Sequence, residues 1–282
     1  MTVRMSLKSF RRLAVAVLFA LATCSPARAV DAGPVSPDAD FTAQQITTIL
    51  FKVRPGERAD FAGRDLTYLD LSDLDFKGAS LARSDFYGTD FTAANLSGAD
   101  LTRTRLDRAV LIRANLSGAN LTDATIYRPT IYSDEKSTLT DAPKFAGANL
   151  TRISVQADLS GADFRGADLT SANFSPLEAR PGKGTLTTQP SNILRSCDFS
   201  GARMANADMT RAKLTFSRFT GADVHGVKFN GADLTKVDFA GADVSGADFT
   251  DADLYDVNFV GAHGLETAIG IDTAVNADKV RR

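Results

Sequence analysis

The chain of 282 residues is poor in the residues that build metal centres and disulfides, with two cysteines and two histidines. Neither His225 nor His263 has a cysteine or histidine at ligand spacing, so the sequence does not predict a structural zinc site. No apolar run approaches the roughly 20 residues that a membrane-spanning helix needs. Glycine-rich phosphate loops, nucleophile elbows and helical metal-binding motifs are also missing. We therefore expect a protein that is not an enzyme and that uses no cofactor and no metal ion.

The first 29 residues have the layout of a secretory signal peptide. Basic residues at positions 4, 8, 11 and 12 precede the uncharged apolar run 13–22, and Ala27-Arg28-Ala29 then supplies a small-x-small cleavage site. We expect cleavage after Ala29 and a bacterial periplasmic or secreted protein. The alternative is a lipoprotein anchored at Cys24, because residues 21–24 loosely resemble a lipobox, although Thr23 stands where a smaller residue normally precedes the lipidated cysteine.

Removal of this segment would leave 27 of the 32 basic residues against all 34 acidic residues, a formal charge of −7. Such mild acidity favours solubility and disfavours direct binding of nucleic acid. Cys197 would be the remaining cysteine, so no disulfide within the chain is expected even in an oxidising compartment. Because Cys197 stands at a small inward position before Phe199, we predict a buried and inert thiol.

A large apolar residue, which we call a centre, recurs at every fifth position with few breaks from Phe61 to Phe259. A helix would scatter this period around its circumference, and a flat strand would place successive centres on opposite faces. The period fits a chain that turns a corner once in each repeat. A small residue stands two positions before the centre and Asp or Asn one position before it. Glycine recurs three positions before it, in the third place of a type II turn. Four such units would close one square coil around the centres, with the Asp and Asn side chains bonded to backbone at the corners.

These units resemble the A-[DN]-[LF]-x-x consensus of the pentapeptide-repeat proteins, as in the segments at 94–98, 162–166 and 232–236. The resemblance implies the fold of that family, a right-handed quadrilateral β-helix. We therefore predict an all-β solenoid of about nine coils over residues 58–262. Residues 20 apart should stack, and this places like on like in two ladders: Leu194, Leu214, Leu234 and Leu254 on one side, and Phe199, Phe219, Phe239 and Phe259 on the next.

Short α-helices are expected to cap both ends of the solenoid. Within the N-terminal segment 30–57, apolar residues at 43, 46, 50 and 53 recur at helical spacing, and Thr42 and Gln45 form a capping-box pattern. Residues 263–282 are predicted to form a C-terminal cap and tail. In that segment Leu265, Ala268 and Ile269 are expected to form a short helical lid, followed by a frayed tail from Val275.

Two insertions interrupt the five-residue period, at about 132–144 and about 175–193. The first adds about nine residues, and the second adds about 15 if it is looped out, which its Pro176, Pro181 and Pro190 favour. One residue is missing between Leu150 and Leu159, where Val155 is the expected centre. The insertions should leave the solenoid at adjacent corners, flanking the side that carries Ile131, Leu159 and Leu194, and binding would be sought first on that side.

Three classes of function fit this organisation. We favour an exported, non-catalytic scaffold that binds another macromolecule on the side between the insertions, with the partner and the oligomeric state unknown. The residues expected to contact the partner, for which solvated loop surface is the alternative reading, are Tyr132, Asp134, Glu135, Asp158, Ser160, Arg180 and Lys183.

The resemblance to quinolone-resistance members of the family suggests a second class, a DNA mimic that binds a type II topoisomerase such as gyrase. Export argues against this class, and so do arginines that interrupt the acidic surface at 103, 105, 108 and 113. The third class is an enzyme or small-ligand binder with a site beneath residues 175–193, and the length of that loop is its sole support.

Overall fold

The computed structural model describes residues 39–134, 139–176 and 191–282 of the chain. Regular elements are few: the α-helix α1 (Ala43–Lys52), the strands β1 (Thr125–Tyr127) and β2 (Ser154–Gln156), and two 3-10 turns, Ile271–Thr273 and Ala277–Lys279. The strands β1 and β2 pair in parallel, with Thr125 opposite Ser154. Most of the pairing consists of single parallel bridges, one in every five residues, which join residues 20 apart over long stretches. No helix in the described part of the chain is long and apolar enough to cross a membrane.

The bridges form four ladders, which are the four sides of a square solenoid with the predicted centres inside. Each centre is at most 3% exposed. We number the sides in chain order. Side 1 carries Phe61, Leu81, Leu101, Leu121, Leu150, Leu169, Met204, Val224 and Val244; side 2 carries Leu66, Phe86, Leu106, Ile126, Val155, Phe174, Met209, Phe229 and Phe249; side 3 carries Leu71, Phe91, Leu111, Ile131, Leu159, Leu194, Leu214, Leu234 and Leu254; side 4 carries Phe76, Leu96, Leu116, Phe145, Phe164, Phe199, Phe219, Phe239 and Phe259.

A regular corner is a tight turn whose last residue before the next inward position has positive φ. At one such corner the Ala79 N–H donates to the carbonyl of Phe76 at 2.8 Å, and Gly78 between them has φ 67°. This is the predicted place of glycine in a type II turn. Many corners instead hold Arg, Asp, Ser or Asn with φ between 54° and 61°. A left-handed conformation costs a non-glycine residue roughly 1 kcal/mol, so burial of the centres has to offset strain at these corners.

Asp and Asn before the centres bond to backbone at the corners, as predicted. The Oδ1 of Asp243 accepts the Ser245 N–H at 3.0 Å, and the Oδ1 of Asn95 accepts the Ser97 N–H at 3.2 Å. The same bond, from the amide two residues further along the chain, recurs on all four sides. These carboxylates and amides therefore close the turns.

A continuous stack of phenylalanine rings fills side 4 from the middle of the chain to its C-terminal coils. The predicted ladder from Phe199 to Phe259 is confirmed, and it begins two coils earlier, at Phe145. Successive centroids lie 4.7–5.4 Å apart with interplanar angles of 26° or less. Rings of side 2 meet this stack edge-on, as Phe229 does with Phe219 at 6.0 Å. Both arrangements are favourable for aromatic side chains.

The pairing register locates the extra and missing residues. The offset between paired residues is 29 at Asn115 and Lys144, nine more than one coil, and then 19 at Lys144 and Asp163, one fewer. It becomes 35 at Asp158 and Ile193, so 15 residues leave the solenoid in the second insertion, as predicted. Val155 is buried as the expected centre. No bridge joins Thr130 to Asp158 in the described ranges, so the ladder of side 3 is interrupted between the two insertions.

The two ends of the solenoid differ from each other. At the N-terminal end α1 begins with the predicted capping box, in which Thr42 and Gln45 exchange hydrogen bonds at 2.8 and 3.2 Å. Ile46 of α1 is fully buried against the core, and the ring of Phe41 meets that of Phe61 edge-on at 5.8 Å.

The prediction of an α-helical lid and a frayed tail at the C-terminal end is wrong. Residues 263–282 instead continue the ladders as one irregular coil. His263, Ile269, Val275 and Arg281 bridge to Asp243, Asp248, Asp253 and Asn258 at offsets that grow from 20 to 23. Each side of this coil is therefore about one residue longer than the side below, and two 3-10 turns absorb the difference. Backbone pairing prevailed over the helical spacing of Leu265, Ala268 and Ile269 because a free edge would leave its amides unpaired.

The aromatic stack predicts a sharp contrast between two phenylalanines three positions apart. Phe219 lies between Phe199 and Phe239 and is fully buried, whereas Phe216 is 60% exposed. We expect Phe219→Ala to lower the free energy of unfolding by about 4 kcal/mol, because it leaves a cavity in the stack. Phe216→Ala should change it by less than about 0.5 kcal/mol. Guanidinium unfolding followed by far-UV circular dichroism measures both, and equal losses would contradict the stack as a source of stability.

Candidate functional site

Four of the seven residues predicted to contact a partner lie in the described part of the chain, and three of them, Tyr132, Asp158 and Ser160, adjoin centres of side 3. Tyr132 starts the first insertion and packs partly buried against the core, and Asp134 follows it at the surface. Asp158 and Ser160 belong to the coil between the insertions, where the Asp158 Oδ1 accepts the Ser160 N–H at 3.0 Å and its hydroxyl at 2.7 Å. This pair closes a turn. Glu135, Arg180 and Lys183 lie outside the described residues.

Side 3 differs from the other sides in its outward positions. On sides 1, 2 and 4, the residue before each centre is polar or charged, whereas on side 3 this position holds Val110 and Ile193. Ile112, just after its centre, is also apolar. All three are half-buried. The sequence already shows this feature, because positions 110 and 193 hold apolar residues where most repeats have Asp or Asn before the centre. It was missed because those residues look like ordinary strand residues until the coils are stacked.

Phe216 is the most unusual residue of this side. Its φ is 63°, and its ring is 60% exposed with the Lys236 ammonium 5.5 Å from the ring centroid. Left-handed backbone is rare for a bulky residue. The same backbone conformation recurs at the other non-glycine corners, so the exposed ring is what distinguishes Phe216 on this side. Together these apolar residues form what we call the side-3 patch: Val110, Ile112, Tyr132, Ile193 and Phe216.

A buried carboxylate holds the base of the first insertion. Asp141, 4% exposed, accepts the Ser133 N–H at 3.1 Å and the Ser133 hydroxyl at 2.7 Å, and Arg113 lies 3.7 Å from its other oxygen. The Arg113 N–H donates to the Asp141 carbonyl at 2.7 Å, so the coil that leaves at Tyr132 resumes at Asp141. The Ser133 hydroxyl, then its amide and the Arg113 charge lower the pKa of Asp141, against the opposing effect of burial.

A buried asparagine holds the base of the second insertion. Asn192 is fully buried in an inward slot where alanine is usual. Its Nδ2 donates to the carbonyls of Val155 at 3.0 Å and Phe174 at 2.6 Å, and its Oδ1 accepts the Ala157 N–H at 2.6 Å. Val155 and Ala157 lie where one residue is missing from the repeat, and Phe174 lies at the start of the second insertion. One side chain therefore satisfies the backbone groups that both irregularities would leave unpaired.

The cysteine of the described chain lies in the core, and both histidines lie at the surface. Cys197 is buried as predicted, its thiol lies 3.2 Å from the Leu159 carbonyl, and burial raises its pKa. His225 and His263 are exposed, and the Nδ1 of His225 lies 2.6 Å from Asp223. Among the described residues no group of three or more His, Cys, Asp or Glu side chains could hold a metal ion.

Arginines are interleaved with the surface carboxylates. Arg152 pairs with Asp123 at 2.7 Å, Arg165 with Asp163 at 2.6 Å and Arg203 with Asp168 at 2.8 Å. The hydrogen bond from Arg152 lowers the pKa of Asp123, and the bond from Arg165 lowers that of Asp163. Exposed pairs of this kind contribute little stability. Their effect is to break up any continuous negative stripe along the rod.

A square solenoid with one inward centre in every five residues defines a particular class of β-helix. The family model described as Pentapeptide repeats matches the chain in 8 copies, over residues 57–92, 89–126, 155–175, 193–231 and 232–263. These matches cover more than half of the chain. The chain therefore belongs to the pentapeptide repeat family, whose fold is a right-handed quadrilateral β-helix.

Several solved structures are similar to this chain. HetL, involved in the regulation of heterocyst differentiation in the cyanobacterium Nostoc sp. strain PCC 7120, is 25% identical over 81% of this chain and 95% of its own, with a TM-score of 0.42. Full-length QnrB1, a plasmid-mediated fluoroquinolone resistance protein, is 21% identical over 70% and 92%, with a TM-score of 0.26. Rfr23 from the cyanobacterium Cyanothece 51142 is 19% identical over 42% and 90%, with a TM-score of 0.25. None of the curated proteins matches this chain.

The buried asparagine yields a prediction with a matched control. Asn192→Ala leaves the Ala157 amide and two carbonyls without their partner, and we expect a loss of about 3 kcal/mol in the free energy of unfolding. Thr104 occupies the same type of inward slot, but its hydroxyl bonds to Leu101, which keeps a backbone bond as well. Thr104→Ala should therefore cost less than about 1 kcal/mol. Guanidinium unfolding compares the two variants, and similar losses would refute the role given to Asn192.

The carboxylate at the first insertion yields a pH prediction. Because the pKa of Asp141 in the folded chain lies below the ordinary value of 3.8, its stabilising effect is present above that value and is lost as the pH falls through the lowered pKa. We expect the difference in melting temperature between wild type and Asp141→Asn to be largest near about pH 6 and to shrink below pH 3.8. The other aspartates titrate equally in both proteins. A difference independent of pH would contradict the prediction.

Proposed function

We propose that this protein is an exported, non-catalytic scaffold that binds a protein partner along side 3 of its solenoid. In this proposal the scaffold is a β-helix of about nine coils, covered by α1 at one end and by the irregular last coil at the other. The observation that carries the proposal is the side-3 patch, which puts apolar outward residues on the side that both insertions flank.

The chemistry of the patch supports a protein partner. Exposed apolar and aromatic side chains surrounded by polar ones mark protein interfaces, and an exposed ring that fills a pocket on the partner is a frequent hot spot. Phe216 supplies such a ring, and Lys236 and the Asp158–Ser160 pair supply polar surroundings. The coils are paired on both sides of the interruption between Thr130 and Asp158, which holds the backbone of these residues in place, so binding would carry a small ordering cost.

Export is supported by the layout of residues 1–29, with basic residues, a short apolar run and a cleavage pattern ending at Ala29. In this proposal the partner is therefore in the periplasm or outside the cell. The competing function, a DNA mimic that binds a type II topoisomerase, needs a cytoplasmic protein and a continuous acidic surface. The arginine–aspartate pairs on the rod, such as Arg105 with Asp85 at 3.2 Å, argue against it.

The test of partner binding uses variants that keep the fold. Val110→Asp and Ile193→Asp restore the residue that most repeats carry at this position, and Phe216→Asn removes the ring from a left-handed corner that Asn tolerates. From a periplasmic extract of the source bacterium, we expect the tagged wild type to recover a defined protein. The triple variant should recover at least about tenfold less of it.

The matched control is Val260→Asn, which removes an apolar residue of similar exposure (53%) from side 4. It should recover as much partner as the wild type does. Equal recovery by the triple variant would refute side 3 as the binding surface. Cell fractionation with N-terminal sequencing accompanies the test: cytoplasmic protein with an intact N-terminus would refute export, and strong inhibition of gyrase supercoiling would favour the competing function.

A further inference from the structure

Side 2 carries a second, chemically different surface near the N-terminal end of the solenoid. Three of the five tyrosines in the chain are outward residues of this side. The rings of Tyr68 and Tyr87 meet edge-on with centroids 5.4 Å apart, and the Arg105 guanidinium lies 4.6 Å from the centroid of Tyr87. Tyr127 follows two coils above Tyr87. We call this region, with two corner arginines, the Tyr–Arg surface: Tyr68, Tyr87, Arg105, Arg108, Tyr127 and Arg128.

Arg108 and Arg128 occupy the same corner on successive coils. The Arg108 N–H donates to the carbonyl of Tyr127 at 2.8 Å, which puts the two arginines one coil apart, about 4.8 Å along the solenoid. Both are exposed, with φ of 57° and 54°. Within the described residues neither forms an ion pair with an acid, whereas Arg103, Arg105, Arg113 and Arg152 each do. Two neighbouring cations thus repel each other, and none of the described acids serves as their counterion.

The surroundings of this pair are already ordered. The ring of Tyr68 lies over Gly88, where an added Cβ would come within 2.7 Å of the ring. Asp107, the acid nearest in sequence, accepts the Thr125 hydroxyl at 2.9 Å and the Tyr127 N–H at 3.1 Å. Its carboxylate is therefore held by internal bonds. The positive charge of the corner remains available to a ligand.

We propose that the Tyr–Arg surface binds an acidic segment of a partner protein, with the guanidinium groups of Arg108 and Arg128 pairing with its carboxylates. Tyr and Arg are among the residue types enriched in protein interfaces, and a guanidinium matches a carboxylate in a bidentate pair. A nucleic acid fits less well because Arg105 covers one face of Tyr87, and base binding needs free ring faces. This surface lies on a different side from the side-3 patch, and the inference does not depend on that proposed function.

The test uses the full chain and fluorescein-labelled poly-L-glutamate as the probe. Because the chain has no tryptophan, its tyrosine fluorescence reports directly on a surface that holds three of its five tyrosines. The double variant Arg108→Gly with Arg128→Gly removes both charges, and glycine prefers the left-handed corner, so the fold is retained. Arg211→Gly is the matched control, since Arg211 is exposed on the same corner further along the rod with φ 57°.

We expect wild type to bind the probe at low salt with a change in tyrosine fluorescence, and binding to weaken as salt rises to about 0.15 M. The double variant should bind about tenfold more weakly, and Arg211→Gly should change the affinity less than about twofold. Circular dichroism checks that both variants melt no earlier than wild type. Absence of binding by wild type, or equal loss in the control, would overturn the proposal. Stronger competition by a single-stranded oligonucleotide than by unlabelled poly-glutamate would reassign the surface to nucleic acid.

Discussion

One quarter turn of backbone in every five residues is the constraint on which the whole molecule depends. Each turn needs a left-handed residue at the corner, a hydrogen bond such as that from Ala79 to Phe76, and an Asp or Asn that accepts the next outward amide. Once these are met, the coils stack at the spacing of parallel strands and the centres fall into line. The strain of non-glycine corners is tolerated because every turn is held from above and below by its neighbours.

The same constraint explains how the irregular parts are accommodated. An insertion can leave the solenoid where a side chain replaces the hydrogen bonds of the regular corner. Asp141 does this by bonding to Ser133, and Asn192 by bonding to the backbone of Val155, Phe174 and Ala157. Both side chains are buried and fully bonded. At the C-terminal end, pairing continues through Val275 and Arg281 although the repeat has ended. The ladder thus imposes its register on residues whose own pattern is different.

All four sides have the same backbone, so their differences reside in the outward residues. Side 4 covers a stack of buried rings, and side 3 presents apolar residues and the exposed ring of Phe216. Side 2 presents tyrosines with two arginines that have no acidic partner among the described residues. A rigid rod that separates such surfaces by a quarter turn is suited to hold two partners in a fixed relation. The scaffold role that we propose follows from this organisation, in which the buried centres maintain one backbone and the outward residues differ from side to side.

The five-residue period by itself determined the square solenoid, the buried centres, the stacking of Phe199 to Phe259 and the length of the first insertion, because each depends on a local pattern. For the second insertion the period left two solutions, and the prolines in it favoured looping out 15 residues. The period also pointed to the side on which Tyr132, Asp158 and Ser160 lie. The same count places Val110, Ile193 and Phe216 next to centres of that side, and only the tertiary structure decided how far each of them is exposed. Asp141, Asn192 and the irregular last coil likewise came from three-dimensional pairing. Their roles are to satisfy backbone groups that no sequence pattern identifies as unpaired.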